Sequence, residues 1–296
     1  MAKSGDDLLS LQALLAEIAA LRPAADPQGW VSRRWRAGRR RRLAARLARE
    51  WPGAFALHDG GELLYVPHPL DARGRQALFH PPRAHPAVLA SLRPGAVAAD
   101  IGAGLGEWTL PIARAVRGSG RVLAVEVIPA RAAALARTFP ANALYQAEPI
   151  AARAGERDGD GAAVQDGPPV PRRSLDSLAA ERRLPRLDLV KITVGGQERR
   201  VLDGAEATLA RFRPVLVLAV GGEAEGDRPA IHYRLRSLGY RPLGILLAGG
   251  MAAAEWQSYL AEEPPFRSGA RHLLLLVAEA GAAVSRRAAT PAENIR

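Results

Sequence analysis

The chain of 296 residues contains no cysteine. That excludes disulfides, thiolate zinc sites and a thiol nucleophile, and it suits the reducing cytoplasm, where the protein is expected. Lysine is nearly absent too: all but two of the 41 basic residues are arginine, the exceptions being Lys3 and Lys191. No run of eighteen apolar residues occurs, so no membrane-spanning helix is expected. The first residues do not read as a signal peptide, because Asp6 and Asp7 precede apolar residues that are spaced rather than continuous. No two histidines stand at metal-ligand spacing, so no metal is expected. No serine sits in a G-x-S-x-G turn, which leaves a hydrolase without support. The acidic, glycine-rich run at 155–161 lacks the terminal Glu of a calcium loop.

Apolar residues and positive charge are abundant. A hydrophobic fraction of 48% supports a large core. The net charge of +11 is unevenly spread, with nine arginines between Arg33 and Arg49. Leu8, Leu11, Leu14, Leu15, Ile18 and Leu21 stand at helical spacing. They predict an amphipathic helix over 5–22 that packs on the core or on a second copy as a homodimer. The stretch from Pro23 to Gly29 breaks it, and a second helix over 31–50 carries the arginines with Leu43, Leu47 and Trp51 on another face. Such a helix suits weak contact with an anionic membrane face or an acidic partner, beside the simpler reading of a solvated basic face. No nucleic-acid module is recognisable, so no specific nucleic-acid partner is expected.

Phe55–His58 and Glu62–Val66 flank Asp59-Gly60-Gly61 and predict a β-hairpin. A proline-punctuated lead-in follows, with a short helix near 85–91. From 96 onward strands and helices alternate. Strands are expected at 96–101, 121–126, 142–147, 187–193, 215–220, 240–248 and 272–279. Helices are expected at 106–117, 129–138, 174–183, 196–211 and 228–238, with a mobile loop over 154–171. This alternation predicts a mostly parallel sheet covered by helices on both faces.

One stretch carries chemistry. The apolar run Ala96-Val-Ala-Ala99 leads into Asp100-Ile-Gly-Ala-Gly-Leu-Gly106 and then into a helix. Gly102, Gly104 and Gly106 let the backbone turn tightly against a ligand at the helix N-terminus and the carboxyl edge of a strand. A dinucleotide fingerprint would need glycine at 107, where Glu107 stands. An acidic residue two places before the first glycine suits S-adenosylmethionine (AdoMet), with Asp100 near the cationic methionyl end. Glu126 ends the next strand and can accept two ribose hydroxyls. The expected cofactor set is Asp100, Gly102, Ala103, Gly104, Gly106, Glu126 and, near the end of the expected third strand, Gln146.

At these residues, over roughly 95–220, the chain resembles the FkbM-type AdoMet-dependent methyltransferases. The glycine turn with Val122-Leu-Ala-Val-Glu126 is one block of the resemblance. The second, more specific block runs through Ser174-Leu-Asp-Ser-Leu178, Leu187-Asp-Leu-Val-Lys-Ile192, Gly196-Gln-Glu198, Val201-Leu-Asp-Gly-Ala205 and Arg213-Pro-Val-Leu216. The resemblance implies a Rossmann-like α/β fold with a seven-stranded sheet whose last strand is antiparallel. It also implies methyl transfer to a hydroxyl of a sugar, polyketide or similar acceptor. Here that sheet would follow a helical, Arg-rich extension over 1–52 and a hairpin and lid over 53–95. The methyltransferase domain would span 96–282, with a tail at 283–296.

The departures fall where chemistry is expected. Thr193 stands where the family has Asp, Gly195 where it has Glu, and Val217-Leu-Ala-Val220 lacks the carboxylate that commonly ends the fifth strand. Glu198 is retained. Thr193, Glu198 and Lys191 are therefore the candidate catalytic residues, with Lys191 expected to pair with Asp188 or a neighbouring carboxylate. Thr193 can hydrogen-bond but cannot act as a base near pH 7. His80 and His85 in the lead-in are candidate bases, with lid packing the simpler role. Two readings stand: an AdoMet-dependent O-methyltransferase for a small hydroxylated or glycan acceptor, and a degenerate methyltransferase-fold binding or scaffold protein.

Overall fold

Strands buried on both faces form the centre of the fold, and their residues sort with the two-residue period of a pleated strand. Ala98, Val122, Ala124, Leu189, Val215 and Val217 belong to one apolar cluster. Their neighbours Ala99, Leu123, Val125, Val190, Leu216 and Leu218 belong to the other. The structure, a computed structural model, describes residues 5–22, 30–51, 53, 55–57, 61–164, 167–224, 226–248, 250–263, 266 and 271–279. The break at 23–29, the hairpin residues His58, Asp59 and Gly60, and the 283–296 tail lie outside the described residues.

In chain order the N-terminal elements are α1 (Gly5–Ala20), α2 (Trp30–Glu50), β1 (Phe55–Leu57), β2 (Leu63–Tyr65), α3 (Ala72–Phe79) and α4 (Pro86–Ala90). Next come β3 (Val97–Ile101), α5 (Thr109–Val116), β4 (Arg121–Glu126), α6 (Pro129–Ala141), β5 (Ala147–Ala151), β6 (Arg153–Ala154), β7 (Gly159–Val164) and β8 (Gly167–Arg173). The rest are α7 (Leu175–Glu181), β9 (Leu189–Ile192), α8 (Glu198–Asp203), α9 (Glu206–Phe212), β10 (Val215–Val220), α10 (Asp227–Ser237), β11 (Tyr240–Leu247), β12 (Gly250–Ala252), α11 (Trp256–Leu260) and β13 (His272–Ala278). None of the described helices is long and apolar enough to cross a membrane.

The main sheet has the order β12-β11-β13-β10-β9-β3-β4-β5. From β5 to β10 all neighbours are parallel, and β13 runs antiparallel between β10 and β11. This is the Rossmann-like α/β fold expected, with its last strand reversed. The short β12 adds an eighth strand at the edge.

Three expectations are corrected. The third strand lies at Ala147–Ala151 rather than 142–147, because α6 runs on to Ala141 and Ala143 turns in the left-handed region at φ 54°. Pro149 is tolerated in that strand because β5 is the sheet edge, where a missing N–H breaks no ladder. The expected loop at 154–171 instead contains a small sheet of order β6-β8-β7. Its Gly, Asp and Pro content and shifting register leave no clean period-2 pattern to read. Finally, the single helix expected over 196–211 is two. Gly204 O accepts from Asp176 N (2.9 Å), and the Asp176 carboxylate caps the start of α9 by accepting from Ala207 N and Thr208 N (3.2 and 2.7 Å).

The N-terminal helices join the same core. Leu14 and Ile18 of α1 and Leu43 and Leu47 of α2 lie in the first cluster, so the apolar face of α1 is covered by its own chain. Arg41, Arg42 and Arg49 of α2 stay exposed. The hairpin docks on α6 through side chains that satisfy its backbone. Thr138 Oγ1 accepts from Tyr65 N (3.0 Å), and Asn142 both accepts from Leu63 N and donates to Leu63 O (2.8 and 2.7 Å). The lead-in is thereby held beside the glycine turn, which α6 also abuts.

Candidate active site

The glycine turn follows β3 at the carboxyl edge of the sheet. Gly102 N and Ala103 N both donate to Val125 O at the end of β4 (2.8 and 3.0 Å). Gly102 has φ 80°, and a Cβ there would stand 2.1 Å from Thr193 O. Only glycine lets this turn touch the end of β9. Gly104 has φ 62°, and its Cβ position lies 2.5 Å from a guanidinium nitrogen of Arg73.

Two carboxylates meet the turn. Glu126, 4% exposed, accepts from Gly104 N and Ile128 N (2.8 and 2.9 Å). Burial pushes its carboxyl above the usual carboxylate range despite those N–H groups. Glu107 Oε2 accepts from Arg73 (2.6 Å) and Leu105 N (3.3 Å), while its Oε1 is buried without a partner among the described residues. Sequence reasoning used Glu107 only to reject a dinucleotide and missed Arg73 altogether. Arg73 lies on α3, whose start is capped by the Asp71 side chain.

Beneath the turn, Asp100 and Lys191 stand opposite each other in the parallel register of β3 and β9. Asp100 is fully buried; its Oδ1 accepts from Lys191 Nζ and its Oδ2 from Thr109 Oγ1, both at 2.7 Å. Lys191 also donates to Thr193 Oγ1 (2.7 Å), which in turn donates to Gly102 O (3.3 Å). The carboxylate that Lys191 meets is thus Asp100. Asp188 is engaged by Arg186 and by Val97 N (2.9 Å).

Gln146 is not near the turn. With the third strand at 147–151, Gln146 precedes it at the amino edge, where its side chain donates to Ala113 O (2.9 Å). His85 caps α4, accepting from Ala87 N at 3.2 Å, and its other nitrogen lies 2.9 Å from Gly250 O. His80 lies 2.8 Å from Arg40.

On the far side of Thr193 a pocket of about 370 Å³ opens between the ends of β9, β10 and β13. Glu198 lines it, 3% exposed, accepting from Val194 N and Gly196 N (3.0 and 2.7 Å). Burial raises its carboxyl above the usual range, and the charge of Glu223 adds to the rise. β10 ends at Val220 without a carboxylate, as expected, and the next acid along the chain is Glu223. It lies three residues past β10, accepting from Gly221 N (2.7 Å), Tyr259 Oη (2.9 Å) and Arg228 (3.3 Å). Arg228 ties this group to the carbonyls of Tyr259 and Phe266 (2.9 and 3.0 Å). The signal was available in Glu223, but the chain turns through Gly221 and Gly222 first, which hides it from strand counting.

Residues 100–242 match the methyltransferase FkbM domain. Among solved structures, the methyltransferase FkbM from Methylobacillus flagellatus KT is 17% identical with a TM-score of 0.44, over 69% of this chain and 55% of that one. Precorrin-6y C5,15-methyltransferase from Geobacter metallireducens GS-15 is 18% identical with a TM-score of 0.41, over 64% of this chain and 86% of that one. A SAM-dependent methyltransferase from Aquifex aeolicus is 15% identical with a TM-score of 0.39, over 70% and 94%. No curated protein matches the chain.

Proposed function

We propose that the protein is an AdoMet-dependent O-methyltransferase for a small hydroxylated or glycan acceptor. The observation that carries this reading is Glu198, a buried carboxylate lining a pocket that is separated from the glycine turn only by Thr193.

The residues at the turn fit AdoMet. Each Glu126 oxygen uses one lone pair on a backbone N–H and keeps another for a ribose hydroxyl. Glu107 Oε1 is a buried acceptor in want of a donor, which the methionyl ammonium supplies. Arg73, beside Gly104, is the matching cation for the methionyl carboxylate. Bound AdoMet supplies a methyl group on a sulfonium, an already activated leaving group, so alignment is the main demand on the protein.

Glu198 takes the acceptor's proton as its oxygen is methylated. Burial raises its carboxyl, which makes it a stronger base than an ordinary glutamate. Thr193 and Lys191 are positioning residues: their polar atoms are committed to each other, to Gly102 O and to Asp100, which fixes the wall between the two sites. A degenerate binding protein is not favoured, since Glu198 and Glu223 stand just beyond the ends of the two strands.

Calorimetric titration with S-adenosylhomocysteine (AdoHcy) tests cofactor binding, and labelled AdoMet with a cell extract tests transfer. Binding and acceptor labelling are expected, both lost in Glu126→Ala. Folded protein that ignores millimolar AdoHcy would refute the proposal.

A further inference from the structure

The pocket beyond Thr193 has a polarity that selects among acceptors. Its one buried acid is Glu198, and its one guanidinium is Arg271, which is exposed. Arg271 makes no ion pair or hydrogen bond among the described residues. The two groups belong to one continuous wall. Glu198 accepts from Gly196 N (2.7 Å), the Cβ position of Gly196 lies 2.9 Å from Gly222 O, and that of Gly222 lies 3.0 Å from Arg271 Nε. A side chain at 222 would push Arg271 away, so the backbone there leaves the guanidinium lying along the pocket.

A carboxylate on the floor and a guanidinium at the rim orient a ligand by charge. An anionic group on the floor would meet the charge of Glu198, a buried carboxylate. At the rim the same group meets an arginine with a free fork of donors suited to carboxylate or phosphate. A hydroxyl at the opposite end of the molecule then falls to Glu198. The volume of about 370 Å³ sits at the small end of ligand pockets, room for one sugar-sized unit.

We propose that the acceptor is a small hydroxylated anion, carrying a carboxylate or a phosphate that Arg271 binds while Glu198 faces the hydroxyl to be methylated. This rests on the methyl-transfer reading above. In that transfer the acceptor's O–H proton passes to Glu198, the oxygen gains the methyl group, and AdoMet leaves as neutral AdoHcy.

The test uses ligand-observed NMR on the full chain with three probes, glucuronate, glucose 6-phosphate and glucose, beside calorimetry with AdoHcy. Both anions should bind and glucose should not. Arg271→Gln should weaken the anions about 10- to 100-fold, the worth of a charge-assisted bond, with partial recovery in Arg271→Lys and AdoHcy affinity unchanged in both. Glucose binding as well as the anions, no binding of either anion, or anion affinity indifferent to Arg271→Gln would each overturn the inference. If AdoHcy binds in those cases, the methyl-transfer reading survives alone. If the anions bind through Arg271 but AdoHcy does not bind, the methyl-transfer reading falls and takes the acceptor role with it. Affinity that differs between glucuronate and glucose 6-phosphate, both lost on Arg271→Gln, supports the inference and tells which anion the rim prefers.

Discussion

Lys191→Met separates a structural cation from a chemical one. The methionine keeps most of the volume, and its flexible thioether fills the space without a charge. Asp100, fully buried, then loses the 2.7 Å bond from Nζ and keeps only the Thr109 hydroxyl. Removing one partner of a buried ion pair costs about 3–5 kcal/mol, because the remaining charge is stranded. In a chain of this size about 1 kcal/mol moves the midpoint by roughly 2–4 °C, so the expected fall is roughly 6–20 °C. Adding Asp100→Asn removes the stranded charge. The double variant should recover a large part of the loss, with a coupling of about 2 kcal/mol or more in the double-mutant cycle. Thermal and urea unfolding of the four proteins, followed by circular dichroism, supply the numbers. A single variant within about 1 kcal/mol of wild type, or a double variant whose losses simply add, would refute this account of the pair.

Gly104→Ala places a side chain at φ 62° and against Arg73. It should cost roughly 1–2 kcal/mol in urea unfolding and weaken AdoHcy binding in calorimetry, the binding loss being the larger effect. Glu198→Gln should lower methyl transfer about 10²- to 10⁴-fold in the labelling assay. It should also change how stability depends on pH. Because burial raises the Glu198 carboxyl in the folded state, its stabilising contribution is present at acid pH and is lost as pH rises through that raised value. The thermal midpoint of Glu198→Gln should therefore improve relative to wild type between acid and neutral pH, and a difference that shrinks instead would contradict the sign. The exposed arginines of α2 should hold polyanions such as heparin weakly, with affinity falling by orders of magnitude between about 50 and 200 mM salt where six or more contacts form. Arg41→Glu with Arg42→Glu should abolish that retention on a heparin column while leaving AdoHcy affinity intact.

Local chemistry made part of this protein legible from its residues. An apolar run, a cluster of glycines and a helical run can form little but a strand, a tight turn and a helix, so β3, Gly102, Gly104 and the flanking Glu126 were readable. So were α1 and the core strands β4, β9 and β10, whose apolar patterns span most of their length. The strand at 147–151 was not readable, since Asn142 to Gln146 are as acceptable in a strand as in a helix end, and only packing decides. That slip of five residues carried Gln146 from the expected cofactor edge to the opposite one. The small β6-β8-β7 sheet was hidden for a related reason: its short polar strands are stabilised by pairing with one another rather than by an apolar period.

Tertiary structure alone decided the partners. Asp100 and Lys191 are 91 residues apart and meet because β9 crosses to lie beside β3. Arg73 reaches Glu107 across 34 residues because Thr138 and Asn142 of α6 hold the hairpin next to the turn. Glu198 and Arg271 line one pocket because β13 enters the sheet antiparallel, bringing its start to the carboxyl ends of β9 and β10. Sequence order fixes which residues are near in the chain. The energy that assembles the site comes from burying the two faces of one sheet, and strand order follows from that burial over the whole domain.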